Sequence, residues 1–319
     1  MLFAYRQDKG RLDRLTPDAP LEESVWIDLY RPLATQIAAV AALGIEVPTL
    51  EDMEEIEISN RLYRENGMDY MTVVLPGLSE TKAPISGPVT FILAPDRLVT
   101  VRHHAPRPFE TYPTRANKVG PGCSRPETIF LGLIEEVIGR LADLMENVGK
   151  ALDQVMREVF TPNKGDRSDL LEDALQRIGR EGDLVGRVRL SLLTLERAVS
   201  FFGQSETHLG AKDELRPVVK GAMRDIQALE VHADFLSSRV ALAVDATLGM
   251  IGLSQSQTIK IFSVLAVVFL PPTVIASAYG MNFDTMPELH WSWGYPMALG
   301  LMLASAIGTY LFFKWKHWF

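Results

Sequence analysis

The chain has 319 residues, 47% of them hydrophobic, and its 40 acidic against 32 basic side chains leave a net charge of -8. An acidic balance excludes the basic footprint that phosphate-backbone binding requires, so nucleic acid is not expected as a partner. The single cysteine, Cys123, excludes an intramolecular disulfide and fits a reducing compartment.

Charge is unevenly spread. From Ile259 onward only Lys260, Asp284, Glu288, Lys314 and Lys316 are charged, so residues 1–258 carry -9. The segment Met1–Asp8 reaches charge before an apolar run forms; no cleavable signal peptide is expected, and membrane targeting falls to the C-terminal end. Residues 1–120 read as a cytoplasmic α/β domain. Its clearest strands are Thr72–Leu75, Val89–Leu93 and Leu98–Arg102, the last two joined by Ala94-Pro95-Asp96-Arg97, whose Pro and Asp suit a tight turn. Adjacent His103 and His104 would point to opposite faces of a strand, which makes a shared metal-ligand role a poor reading. From Thr111 to Arg125 the density of Pro, Gly and Asn marks a linker.

Residues 121–205 switch to a helical period. Ser124 and Glu127 have capping-box spacing, and Ile134, Val137, Leu141, Leu144, Val148, Leu152 and Val155 follow at three- and four-residue steps. Thr161-Pro162-Asn163-Lys164-Gly165 stops this helix. A second helix carries Leu171, Leu175, Ile178, Val185, Val188, Leu192, Leu195, Val199 and Phe202. The two predict an antiparallel hairpin, against which Gly179 and Gly182 count.

Residues 206–258 read as a long stalk helix. Ala222, Ile226, Leu229, Ala233, Leu236, Val240, Ala243, Thr247 and Met250 alternate by four and three, a heptad seam. Two readings fit it: packing against copies of the same helix, or burial against the chain's own domain. No proline interrupts Pro217 to Pro271. One continuous helix there would span roughly 80 Å, longer than a compact domain needs.

Two membrane segments follow, 259–279 and 294–313. Ile261–Tyr279 is an uncharged run of nineteen residues and Gly294–Phe313 one of twenty, each matching the roughly 20 residues that cross a bilayer. Lys260 precedes the first span, Lys314 and Lys316 follow the second in a basic C-terminus (314–319), and the loop between them (280–293) has no Lys or Arg. The positive-inside bias then places both termini in the cytoplasm and the loop outside. Trp291, Trp293 and Tyr295 at one end and Trp315 and Trp318 at the other suit interfacial belts in contact with membrane lipid. Helical spacing along the first span gives Ser256, Ile259, Ser263, Ala266, Leu270, Thr273, Ser277 and Gly280, a stripe of mostly small and hydroxyl-bearing side chains. Such a stripe serves either close helix packing or a pore wall. Pro271-Pro272 frees backbone carbonyls in mid-span, which neighbours, water or a lined cavity must satisfy.

The stretch Tyr279-Gly280-Met281-Asn282-Phe283, then Met286-Pro287-Glu288-Leu289 and a second span ending in a lysine-bearing tip, resembles the signature of the CorA family of divalent-cation transporters. The likeness is strongest from about Arg224 to Phe319; upstream it rests on the order of an acidic α/β domain, a helical hairpin and a stalk helix. The resemblance implies a homopentamer of α+β cytoplasmic domains in a bacterial inner membrane. The first span of each subunit would line one central pore. On that reading Gly280, Met281 and Asn282 form the outer mouth, with the Asn282 amides as a polar ring. Ser277, Thr273 and Ala266 line the pore below, and Leu270, Phe262 and Ile259 form apolar constrictions. The family often has Asn at the cytoplasmic mouth, where this chain has Ser256. It also places acidic residues at subunit contacts, for which Asp225 and Asp245 are the candidates here.

Chemistry supports the same expectation. Mg2+ gives up its water shell reluctantly, so a ring of uncharged amide carbonyls can hold the hydrated ion without trapping it. Asp284 and Glu288 beside the mouth would concentrate cations, although Glu288 would equally serve as a local cap. Co2+ and Ni2+ have similar hydrated sizes, and related zinc carriers share the layout, usually with another residue in place of Met281. No organic cofactor is implied: Gly149-Lys150 lacks the upstream glycine of a phosphate loop and no G-x-G-x-x-G occurs. Two rival classes stand beside the channel. A membrane-anchored stalked sensor would need no polar stripe, and an enzyme would need a nucleophile–base pair or paired carboxylates, which the spacing does not offer.

Overall fold

The computed structural model describes residues 1–161, 167–204, 212–281 and 291–316. They divide into two compact units, Met1–Thr161 with Ala174–Val244, and Pro162–Asp173 with Asp245–Phe319.

The first unit is built on a seven-stranded sheet. Its strands are β1 (Leu2–Asp8), β2 (Arg11–Arg14), β3 (Trp26–Tyr30), β4 (Leu62–Glu65), β5 (Met68–Leu78), β6 (Pro84–Leu93) and β7 (Leu98–Arg102). They lie in the order β2-β1-β3-β7-β6-β5-β4. Only β3 and β7 pair parallel; every other neighbour is antiparallel. Two hairpins are closed by two-residue turns with positive φ at both positions, Lys9-Gly10 (46° and 78°) and Asn66-Gly67 (51° and 76°). That geometry matches strand twist and favours Asn-Gly. Ala94-Pro95-Asp96-Arg97 makes the expected turn, with the Ala94 amide donating to the Arg97 carbonyl at 3.0 Å.

Alternation along each strand sends side chains to two different layers. Ile27 and Leu29 of β3 and Val99 and Val101 of β7 join Val40, Ile45 and Met53 in one core. That core lies under the short helices α1 (Ala34–Ala41), α2 (Leu50–Glu54) and α3 (Ile58–Arg61). Trp26 and Phe91 face the other layer, where α4 (Pro108–Arg115) supplies Phe109 and Tyr112 and α5 (Pro126–Phe160) supplies Phe130. Tyr112 meets Trp26 edge-on at 5.9 Å and Phe130 meets Phe91 at 5.3 Å, a preferred aromatic geometry.

Charge also runs through this layer. Asp28 and Arg102 are 1% and 4% exposed. The Arg102 guanidinium donates to both Asp28 oxygens, at 2.9 to 3.2 Å, and to the His104 carbonyl at 3.1 Å. Thr100 donates to Asp28 at 2.9 Å and accepts from the Trp26 indole at 3.1 Å. His104 is buried, its Nε2 bonded to the Leu75 carbonyl at 2.8 Å, and burial pushes its pKa down to about 4.

Helix α6 (Arg167–Gln204) runs through Gly179 and Gly182. At Gly182 a Cβ would stand 3.1 Å from Val240 Cγ1, so the glycine lets α7 (Lys212–Tyr279) approach. Ion pairs tie these helices together: Arg177 with Glu158 at 2.6 Å, Arg239 with Asp153 at 2.5 Å and Arg189 with Asp234 at 3.0 Å. The Val74 amide donates to Thr194 Oγ1 at 3.0 Å, joining α6 to β5.

Three expectations are corrected. Part of the 111–125 linker is helical, because Pro108 sits in the first turn of α4, where its missing N–H costs nothing, and Phe109 and Tyr112 bury one face. The first long helix is capped one residue later than Ser124 and Glu127 suggest: the Arg125 amide donates to Thr128 Oγ1 at 3.1 Å, with Pro126 in the first turn. The heptad seam faces its own chain between Ile226 and Ala243. Ile226 and Ala233 are fully buried and Leu236 and Ala243 are 1% exposed, which overturns packing of that stretch against copies. The large apolar side chains left exposed in that stretch are Val231, Phe235 and Leu242, on a different face.

Candidate functional site

The C-terminal half of α7 and α8 (Gly294–Trp315) are long and apolar enough to cross a membrane, and only 6% of each apolar window is buried within the chain. A core helix of a soluble domain would be mostly covered. As a helix α8 continues to Trp315, and α7 runs without a break from Lys212 to Tyr279.

Along α7 the stripe is exposed throughout: Ser256, Ile259, Phe262, Ser263, Ala266, Leu270, Thr273, Ser277 and Gly280 all face away from the rest of the chain. Apart from Phe262, which flanks Ser263, successive members stand three or four residues apart, so they share one helix face over about 36 Å from Ser256 to Gly280. A shallow groove of about 720 Å³ follows its outer part, lined by Ala266, Leu270, Thr273, Ser277 and Met281 together with Phe269, Val274 and Ala278. The last three were missed because the spacing rule traced a single line, whereas a groove needs its two flanks.

The helix passes through Pro271 and Pro272, so the carbonyls four residues earlier, on Val267 and Val268, lose their usual N–H donors. Beside them the Thr273 hydroxyl donates to the Phe269 carbonyl at 2.7 Å. The helix ends where the Gly280 amide bonds the Ala276 carbonyl at 2.9 Å and the Met281 amide bonds Ala278 at 3.4 Å. Between Ile261 and Met281 no side chain is charged. Asn282, Asp284 and Glu288 lie outside the described residues. Trp291, Trp293, Tyr295 and Trp315 are exposed near the ends of α8.

Asp225 and Asp245 are both exposed on α7. Asp225 lines a cleft with Glu135, Glu136 and Asp143, but Glu136 is held by Arg115 at 2.8 Å and by Thr111 at 2.7 Å. Among the described residues no group of three or more His, Cys, Asp or Glu is placed to hold a metal ion. The structure thus brings the stripe onto one face and leaves the acidic pair apart from it.

A family profile described as CorA-like Mg2+ transporter protein matches residues 22–315. The chain belongs to the CorA-like Mg2+ transporter family. Curated CorA relatives align over their full length: the magnesium transport protein CorA of Pectobacterium atrosepticum is 36% identical and that of Escherichia coli K12 35%, each covering 100% of both chains. The fold agrees. The CorA magnesium transporter of Methanocaldococcus jannaschii superposes with a TM-score of 0.75 at 17% identity, covering 100% of this chain and 99% of that one. The full-length CmaX protein gives 0.61 at 15% identity over 98% and 96%. The CorA architecture of an N-terminal α/β domain, a long helix and two C-terminal apolar helices is the one this chain adopts.

Proposed function

We propose that the chain is one subunit of a homopentameric channel that admits hydrated Mg2+ through a bacterial inner membrane, driven by the membrane potential. The observation that carries this is the stripe from Ser256 to Gly280, exposed on an apolar helix that ends at Tyr279, followed in the sequence by Gly280-Met281-Asn282. A face of hydroxyl, small and apolar groups left exposed among the described residues suits a wall completed by copies of itself. Family membership and the names of the full-length relatives favour Mg2+ as the cargo.

In this reading the Asn282 amides accept hydrogen bonds from the ion's water shell, and Thr273 and Ser277 continue that polar path inward. Leu270, Phe262 and Ile259 close the pore by dewetting. Ser256 stands at the cytoplasmic mouth, and Asp284 and Glu288 concentrate cations outside. A divalent ion gains about 4.6 kcal/mol from about 100 mV, enough to hold a gradient above about a thousandfold without ATP. Purified protein in proteoliposomes with an inside-negative potential should take up Mg2+, with Co2+ and Ni2+ as weaker cargo. Uptake of Zn2+ alone, or of no ion, would reject the reading.

The lysine asymmetry supports cytoplasmic termini. A cysteine at Thr285 in a Cys123→Ser background should react with an impermeant thiol reagent on intact cells; labelling only after lysis would reverse the orientation.

Cytoplasmic Mg2+ is proposed as the gating ligand. Five domains of about -9 each repel one another, and divalent cations between subunits, with Asp225 and Asp245 as the contributing side chains, would relieve that repulsion and favour the closed state. Limited proteolysis of the purified oligomer should be slower in millimolar Mg2+ than in chelator. Equal cleavage rates would remove Mg2+ as its own regulator.

A further inference from the structure

A cleft of about 700 Å³ lies between β1, β2 and α4. Its volume lies in the range of small-molecule sites. Register explains its composition. Phe3 pairs with Asp28 and Tyr5 with both Trp26 and Arg14, so these side chains emerge on the sheet face that α4 covers with Phe109. The floor is the Asp28–Arg102 pair, both groups more than nine-tenths buried yet lining the cleft. Arg102 lies 4.5 Å from the centre of the Tyr30 ring and 5.2 Å from that of Phe109.

The lip differs in charge from its surroundings. Residues 1–120 hold 17 acidic against 13 basic side chains. Arg6, Arg31, Arg64, Arg97, Arg102 and Arg115 all have carboxylate partners. Arg11, Arg14 and Lys118, which line the cleft, form no ion pair among the described residues. Arg14 instead lies over the Phe3 ring, its guanidinium carbon 4.4 Å from the ring centre. Arg14 and Lys118 therefore stand at a cleft walled by aromatic rings, with Arg11 and Asp13 at its edge on the other face of β2; Glu110 is the remaining acid of the lining once Asp28 is neutralised by Arg102.

We infer that this cleft binds a nucleotide, with the planar base against the Arg14–Phe3 stack and the phosphates held by Lys118 and by Arg11 reaching round the edge strand β2. Guanidinium groups match phosphate geometry with paired donors and stack on planar rings, and an aromatic wall suits a heterocycle better than a bare inorganic anion. The buried pair beneath fixes the cleft's shape, because Arg102 is held on Asp28, on the His104 carbonyl and between two rings.

Equilibrium dialysis of radiolabelled ATP against the full-length protein in detergent, with chelator present, tests this. Saturable binding of one ATP per subunit is expected. Arg14→Glu should weaken it at least about tenfold, as should Arg11→Glu combined with Lys118→Glu, because each change removes a cation and adds a repelling carboxylate. Arg6→Ala, on a side chain paired with Glu23 outside the cleft, should leave binding unchanged. Tripolyphosphate should compete at least about tenfold more weakly than unlabelled ATP. No saturation by about 1 mM ATP, undiminished binding in both cleft variants, or tripolyphosphate competing as well as ATP would each overturn the assignment.

Discussion

Asn282→Ala should abolish Mg2+ uptake in proteoliposomes while the protein still elutes as the assembled oligomer. Asn282 supplies the one fixed polar ring proposed at the outer mouth, and everything from Ile261 to Met281 is uncharged. Removing the amide leaves the hydrated ion facing methyl groups. Each lost hydrogen bond to a charged or strongly polarised partner is worth about 1.5–3 kcal/mol, so even two of five would lower the rate by at least about a hundredfold. Oligomer assembly should survive, since the substitution removes a short polar group beyond the end of α7. Unchanged flux in an intact oligomer would refute selection at this ring, and Asn282→Gln separates the amide from its reach.

Arg102→Met should destabilise the first compact unit by about 3–5 kcal/mol, the usual cost of leaving a buried partner uncompensated. Asp28 would then keep only the Thr100 hydroxyl among its side-chain donors, and the Tyr30 and Phe109 rings would lose the cation between them. Asp28→Leu with Arg102→Met should recover most of the loss, because replacing both members of a buried pair by apolar groups is often close to neutral. Denaturant unfolding of the detergent-solubilised chain, followed by tryptophan fluorescence, reports the change through Trp26, whose indole donates to Thr100. A loss below about 1 kcal/mol in the single variant would mean that water reaches the pair as freely as a surface one.

Much of the architecture was legible where local pattern and tertiary burial agree. Leu98–Arg102 is β7 without correction, and Val89–Leu93 is the inner half of β6. The outer half went unseen because Ser86, Gly87 and Pro88 carry a turn-like composition, yet pairing with β5 holds them extended. β4 was missed although Asn66-Gly67, a strong short-range hairpin signal, stood in the sequence. The seam on α7 was correctly periodic, but period alone does not say which surface a helix meets. The Asp28–Arg102 pair was invisible for a related reason: 74 residues separate its members, and each reads singly as a solvated charge. Of the proposed site, the stripe was readable because one chain carries a whole helix face. The ring that Asn282 would complete belongs to several chains, and no single sequence traces it.

The first compact unit uses Met1–Thr161 and Ala174–Val244, so its last residues are made only a little before the first apolar span, which the sequence places from 259. At about 5–20 residues per second, synthesis of this stretch takes roughly 10 to 50 s. That leaves time for the sheet and its covering helices to fold before any hydrophobic span emerges from the ribosome. The apolar spans thus become available for membrane insertion late, after nearly all of the first compact unit has been made.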